Sequence, residues 1–289
     1  MNVYQSKKGD HVQILTLKIL RSAVCIFLCI LSILPFWIML VNSTRNTVQI
    51  QSGVSLLPSI HLVDNLKALF SKTDGNITPF TYLKNSCIVS FSSVLVCVYF
   101  SSLTAYGIFT YRFRGRKFLW TLIIAVMLVP TQVSSIGYFR QMYDWGLVNS
   151  YWSLILPSIA APSTVFFVRQ YMTASLPMEI VDAARIDGCG EWKIFNRIII
   201  PIIKPAIATQ MIFCFIASWN SYYMPSMLIS RQKLYTLPMF IEILKSDIYR
   251  TDYGIVYAGL MLTILPMLII YILLSKNIVA GVALGGVKE

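Results

Sequence analysis

Six stretches of about 20 or more apolar residues, separated by polar segments, constrain this chain more than any other feature, because a run of that length matches the hydrocarbon thickness of a bilayer. They lie at about 18–41, 81–110, 116–139, 152–174, 204–226 and 256–277. In lipid every backbone N–H and C=O must be satisfied within the segment, so runs of this kind form helices. The expected fold is therefore all-α and integral to the membrane, with six spans in one domain (18–289) after a polar N-terminus (1–17). The charge content agrees: charged residues make up 12% of the chain, about half the usual share for a soluble domain, which is roughly 25%. The first run is too long, and its flanks are wrong, for a cleaved signal peptide; it reads as a retained span.

Orientation follows from Lys and Arg. Lys7, Lys8, Lys18 and Arg21 precede the first run and place the N-terminus in the cytoplasm. By alternation the cluster Arg112, Arg114, Arg116 and Lys117 and the segment 175–203 are also cytoplasmic, as is the C-terminus. The formal net charge of +12 thus reports topology and contact with membrane lipid, and no basic face with interleaved aromatics points to nucleic acid. None of the 12 acidic residues lies in a predicted span. An ion-coupled carrier keeps ionisable groups at membrane depth, so this absence favours a neutral cargo.

The segment 175–203 is charged and patterned for two short helices. Pro177 and Glu179 suit a helix start, and Gly188 suits the left-handed residue after a helix end. The first helix is expected at about 177–187 and the second from about Glu191 to Ile200, meeting at a glycine elbow. Ile180, Ala183 and Ala184 fall at helical spacing and make a narrow face of small side chains that a partner could approach closely. Trp192, Phe195 and Ile199 are expected on one apolar side of the second helix. An amphipathic hairpin lying on the bilayer surface fits the same spacing.

Asp182, Ala183, Ala184, Asp187, Gly188, Phe195 and Pro201 together resemble the E-A-A-x-x-x-G loop of permease subunits of ATP-binding-cassette importers, in the sugar-importer form E-A-A-x-x-D-G-A. Asp182 stands for the usual Glu, and Cys189 for the usual Ala. The likeness continues through NSCIVS from Asn85, AYGIFTYRFRGR from Ala105, MLVPTQVSSIGYF from Met127, GLVNSYWSLILPSIA from Gly146, SWNSYYMP from Ser218 and the tail VAGVALGGVKE from Val279. These are similar to the matching segments of oligosaccharide-type importer permeases, and the tail resembles the G-x-x-x-G-x-V-K ending of the maltose-type second permease.

The resemblance implies the type I importer permease fold, a bacterial cell membrane location and a cytoplasmic coupling loop, 175–203, that inserts into an ATPase subunit. Its implied residues are Glu179, Asp182, Ala183, Ala184, Asp187, Gly188, Phe195 and Pro201. The implied partners are a second homologous permease, two ATPase subunits and an extracytoplasmic sugar-binding protein. The implied cargo is a di- or oligosaccharide. Glycerol phosphate or another small solute remains open within the same superfamily, and an ion-coupled secondary carrier outside it.

No phosphate-binding G-x-x-x-x-G-K-[ST] motif occurs, so no cofactor is expected in this chain and ATP and Mg would belong to the partner ATPase. Nor is there a nucleophile elbow or acid–base pair, so no catalytic residue is expected. The cysteines Cys25, Cys29, Cys87, Cys97, Cys189 and Cys214 form no C-x-x-C pair and read as small apolar side chains; with only His11 and His61 besides, no metal site is expected. Two readings stay open at Trp219, Asn220 and Tyr222: an interfacial aromatic belt, or part of a sugar pathway. The serines of 81–110 likewise fit close helix packing or substrate contact.

Overall fold

The computed structural model describes residues 3–72, 77–246 and 251–286, with side chains from 17 to 274; the end of the Gly-rich tail lies outside the described residues. Every regular element among them is helical. The chain begins with α1 (Val3–Ser43), α2 (Thr47–Gln51), α3 (Leu62–Ser71) and α4 (Pro79–Thr110). Next come α5 (Arg116–Met127), α6 (Thr131–Asp144), α7 (Trp152–Ile155) and α8 (Pro162–Ser175). Three short pieces, α9 (Met178–Ile186), α10 (Glu191–Ile194) and α11 (Ile200–Ile202), lead into α12 (Lys204–Trp219), α13 (Tyr223–Leu228), α14 (Leu237–Lys245) and α15 (Tyr253–Gly286).

Among the described residues, four helical stretches are long and apolar enough to cross a membrane, at Leu17–Ser43, Pro79–Thr110, Trp152–Ser175 and Tyr253–Leu274. Two bent pairs raise the number to six if each is one span. The run expected as one helix over 116–139 is such a pair: α5 and α6 meet at 102°. Pro130 supplies no N–H and drives Val129 out of the helical region, which ends α5 inside the apolar run. The second pair, 191–202 with α12, bends by 81°. Here Pro205 removes another donor, and just before Pro201 the backbone widens into a π-helical turn at Phe195–Ile199, where the ring would otherwise crowd the Arg197 carbonyl. Likewise α12 stops at Trp219, short of the expected 226, and Pro225 lies in α13.

The chain divides into two compact units. In the smaller, formed by residues 3–69 and 251–261, a polar knot closes the segment after α1. Asn65 donates through Nδ2 to the carbonyls of Ser43 and Arg45 at 2.8 and 2.9 Å. Arg45 is itself buried and donates to Asn42 Oδ1 and to the Gly53 and Gln49 carbonyls. Gly254 approaches so closely that a Cβ there would stand 2.7 Å from Asn65 Oδ1 and 2.8 Å from the Arg45 carbonyl. The apolar side chains of α1 from Leu17 to Leu40 remain mostly exposed within the chain.

The larger unit is organised around α4, which packs against α8 and α12. Ser90, Ser93, Ser101 and Ser102 are buried on α4, and their small side chains let neighbouring backbones come close, in line with the packing reading. Cys97 meets Cys214 and Thr164 where the three helices touch. At the start of α4, Asn85 donates to the Lys233 and Tyr235 carbonyls and Ser86 Oγ accepts from Leu237 N–H. Tyr82 stacks on Phe240 at 4.5 Å, so the first turns of α4 hold α14 in register. Asn149, with φ of 61°, accepts from the backbone of Ser230 and Arg231 and pins the loop before α7.

Candidate functional site: the elbow between α9 and α10

The two predicted short helices are present, joined by a tight turn. At the end of α9, Cys189 N–H donates to the Ala184 carbonyl and Gly188 N–H to the Arg185 carbonyl, each at 3.0 Å. This reciprocal pair is the Schellman closure, and it needs a left-handed residue, which Gly188 supplies at φ of 74°. Gly190 then caps α10, and Glu191 occupies its first turn, where the dipole favours an anion.

The elbow stands on an apolar floor. Leu176, Val181, Ala184, Ile194, Phe195, Ile199 and Ile203 are buried in one cluster with Ala105 and Tyr106 of α4 and with Val168, Tyr171 and Met172 of α8. Each large side chain buried there contributes about 1.5–3 kcal/mol. Phe195 is the keystone: its ring lies 5.5 Å from that of Tyr106 and 5.8 Å edge-on to Tyr99.

Two expectations about faces change. Ala183 and Ala184, predicted on one approachable face, part company: Ala184 is buried and Ala183 is exposed, because neighbouring positions on a helix point about 100° apart and the floor takes only one of them. Trp192, expected on the buried side with Phe195 and Ile199, points away and is 65% exposed. Ile186 is 87% exposed. Glu179, Asp182, Asp187 and Gly188 are also exposed, as is Pro201 further along. The outward surface of the elbow therefore carries acidic residues and the basic Lys193 and Arg197 around three uncovered apolar side chains, of which Ile186 and Trp192 are far more exposed than Ile180.

A charged cluster that spacing did not reveal ties the arms together. Arg185 on α9 donates from Nε to Glu191 Oε1 at 2.8 Å and from NH1 to Asp182 Oδ1 at 3.2 Å. The other oxygen of Glu191 accepts from the Tyr106 hydroxyl of α4 at 3.0 Å. The Arg185 guanidinium also stands 5.6 Å from the centre of the Tyr111 ring. The hydrogen bond from Arg185 holds the Glu191 carboxyl below the usual carboxylate range and the same bond raises Arg185 further, so the pair is ionised at any physiological pH. Only the Asp182–Arg185 spacing of three residues could have been read from sequence.

The other proposed residues sit apart from the elbow. Trp219 is enclosed, stacked on Phe215 at 5.3 Å and donating from Nε1 to the Thr263 carbonyl at 2.9 Å. Asn220 and Tyr222 are exposed just beyond it. Among the described residues no group of three or more His, Cys, Asp or Glu side chains could hold a metal ion. All six cysteines are free.

Comparison with known proteins gives the family of the chain. Residues 98–278 match the family described as "Binding-protein-dependent transport system inner membrane component". The arabinooligosaccharides transport system permease protein AraQ of Halalkalibacterium halodurans is 34% identical over 91% of this chain and 93% of its own length. The lactose transport system permease protein LacG of Rhizobium radiobacter is 31% identical over 89% of this chain and 92% of its own. Among solved structures, a bacterial ABC transporter involved in import of the acidic polysaccharide alginate contains a chain that superposes with a TM-score of 0.78 at 20% identity, covering 91% of this chain and 96% of that one, a likeness of fold. With its all-helical architecture, its four to six apolar spans and a match over most of its length, this chain belongs to the family of binding-protein-dependent transport system inner membrane components.

Proposed function

We propose that this chain forms half of the translocation pathway of an ATP-driven importer for an oligosaccharide. Six spans, with α5 and α6 together making the third and α12, without 191–202, lying in the fifth, put both termini and the elbow in the cytoplasm of a bacterial cell. There the elbow docks on one of two ATPase subunits, while a second, homologous permease completes the pore and an extracytoplasmic binding protein delivers cargo. ATP and Mg belong to the ATPase; the chain itself performs no catalysis.

The observation that carries this reading is the pairing of a rigid buried floor with an exposed apolar tip. Ile186 and Trp192 stand out from a charged surface that otherwise has no reason to present them, and exposed large apolar groups rimmed by polar residues mark a protein interface. The cargo class is supported by two relatives, permease proteins of arabinooligosaccharides and lactose transport systems, and by the six apolar runs of the sequence, which hold no acidic residue. Of Trp219, Asn220 and Tyr222, the last two have the exposure a sugar contact requires.

The test is a single cysteine in place of Ile186, cross-linked in membranes holding the whole transporter. A product containing the ATPase subunit supports the docking reading, and uptake of labelled oligosaccharide that stops when ATP is depleted supports the transport reading. Cross-linking only to lipid or to the second permease would overturn the first. Uptake driven by an ion gradient alone would overturn the second.

A further inference from the structure

The elbow touches α4 through apolar and through polar contacts, the latter including a long hydrogen bond, 3.5 Å, from the Tyr99 hydroxyl to Asn196 Oδ1. Phe195 lies against the rings of Tyr106 and Tyr99, a contact without direction that can roll or slide. Above it, one carboxylate is divided between two bodies: Glu191 Oε1 takes Arg185 of α9, and Oε2 takes the hydroxyl of Tyr106 in the last turns of α4. Arg185 in turn holds Asp182. The chain of contacts thus runs Asp182, Arg185, Glu191, Tyr106 and joins both arms of the elbow to α4.

This clasp is poorly placed to stabilise the fold. The Arg185 and Glu191 side chains are 32% and 41% exposed, and ion pairs so open to water contribute little. Its geometry is better suited to fixing an angle. Two hydrogen bonds on the two oxygens of one planar group constrain rotation as well as distance, so α9 cannot turn about the Phe195 contact without breaking one of them. We infer that Glu191 is a positioning residue that makes the elbow and α4 move as one body, so that displacement imposed at Ile186 and Trp192 reaches the membrane helix at the centre of the larger unit. This rests on the docking role proposed above. A local alternative, that Glu191 merely favours the N-terminus of α10, requires nothing of Tyr106.

Tyr106→Phe separates the two, since it removes the hydrogen bond from α4 to Glu191 and leaves the Arg185–Glu191 pair intact; Glu191→Gln is the companion variant, keeping an acceptor while removing the charge. Each is assembled into the complete transporter in proteoliposomes, and sugar uptake and ATP hydrolysis are measured in the same vesicles. The expected result is about a tenfold rise in ATP hydrolysed per sugar moved, the scale of one lost charge-assisted hydrogen bond, with the ATPase still co-eluting. An unchanged ratio in Tyr106→Phe overturns the inference, and so does loss of the ATPase from either variant, which would make the clasp part of the docking surface. Failure of the underlying reading shows elsewhere: the unmodified transporter would then elute without an ATPase.

Discussion

Gly188 offers the sharpest quantitative test of how the elbow is built. Its φ of 74° lies in the left-handed region, and a Cβ added there would meet nothing within 4 Å. Any cost of Gly188→Ala is therefore backbone strain alone, roughly 1–2 kcal/mol. If that strain falls on the closed elbow, the closed form loses about 5- to 30-fold in population relative to an open one, at about 1.4 kcal/mol per factor of ten. Gly188→Asn costs less, because Asn tolerates the left-handed region. Gly188→Pro costs most: proline fixes φ near −65° and deletes the N–H that donates to the Arg185 carbonyl at 3.0 Å, a change worth about 3 kcal/mol or more.

The assay is hydrogen exchange at the Cys189 amide, which is protected by the Ala184 carbonyl only while the turn is closed, alongside uptake by the assembled transporter. Exchange rates should rise in the order Gly, Asn, Ala, Pro, and uptake should fall in the same order while the chain remains inserted. A proline variant with unchanged Cys189 protection and full uptake at normal membrane abundance would refute the reasoning. So would equal effects of Asn and Pro, since these differ in the backbone property on which the estimate rests.

Three further outcomes follow from neighbouring observations. Ala184→Asp places a charge on the buried floor and should cost several kcal/mol, lowering the amount of protein in the membrane, whereas Ala183→Asp on the exposed side should change stability by no more than about 0.5 kcal/mol and reduce uptake through docking; immunoblots and transport separate the two. Gly254→Ala drives a methyl against Asn65 and the Arg45 carbonyl and should destabilise the smaller unit by about 1–3 kcal/mol, read as a lowered midpoint of thermal unfolding in detergent. Because the Glu191 carboxyl is held below its usual range in the folded chain, the clasp is fully formed above that range and is lost only as pH falls through the lowered value. The ATP-to-sugar ratio should therefore stay flat from about pH 5 to about pH 8; a rise within that interval would count against an ionised clasp.

The parts of this molecule that were legible from sequence are those governed by local periodicity and by special backbone residues. Apolar runs announced the spans, and Gly188 announced the elbow because few residues other than glycine close that turn without strain. The break inside 116–139 was less legible, although Pro130 stood in plain view: hydropathy averages over side chains and is blind to a missing N–H, whereas the break before α12 was expected from a second short helix ending near Ile200 and an apolar run starting at 204. The faces of Ala183, Ala184 and Trp192 depended on which side of α9 and α10 the rest of the chain would cover, and that is decided by Phe195 seating on Tyr99 and Tyr106, about 90 positions earlier in the chain.

The clasp was the least legible element, since Tyr106 and Glu191 are separated by 85 positions and neither belongs to the glycine motif. Its physical character also fits the coupling role proposed above. A device meant only to anchor these arms would bury apolar groups, as Phe195, Ile194 and Ile199 already do, and would gain nothing from placing a half-exposed carboxylate between an arginine and a tyrosine. Adding directional bonds on top of a complete apolar floor makes sense where the angle between the arms and α4 has to survive a load, the demand that the proposed docking on an ATPase would place on it, and cross-linking from Ile186 separates that role from a hairpin that only rests on the membrane surface.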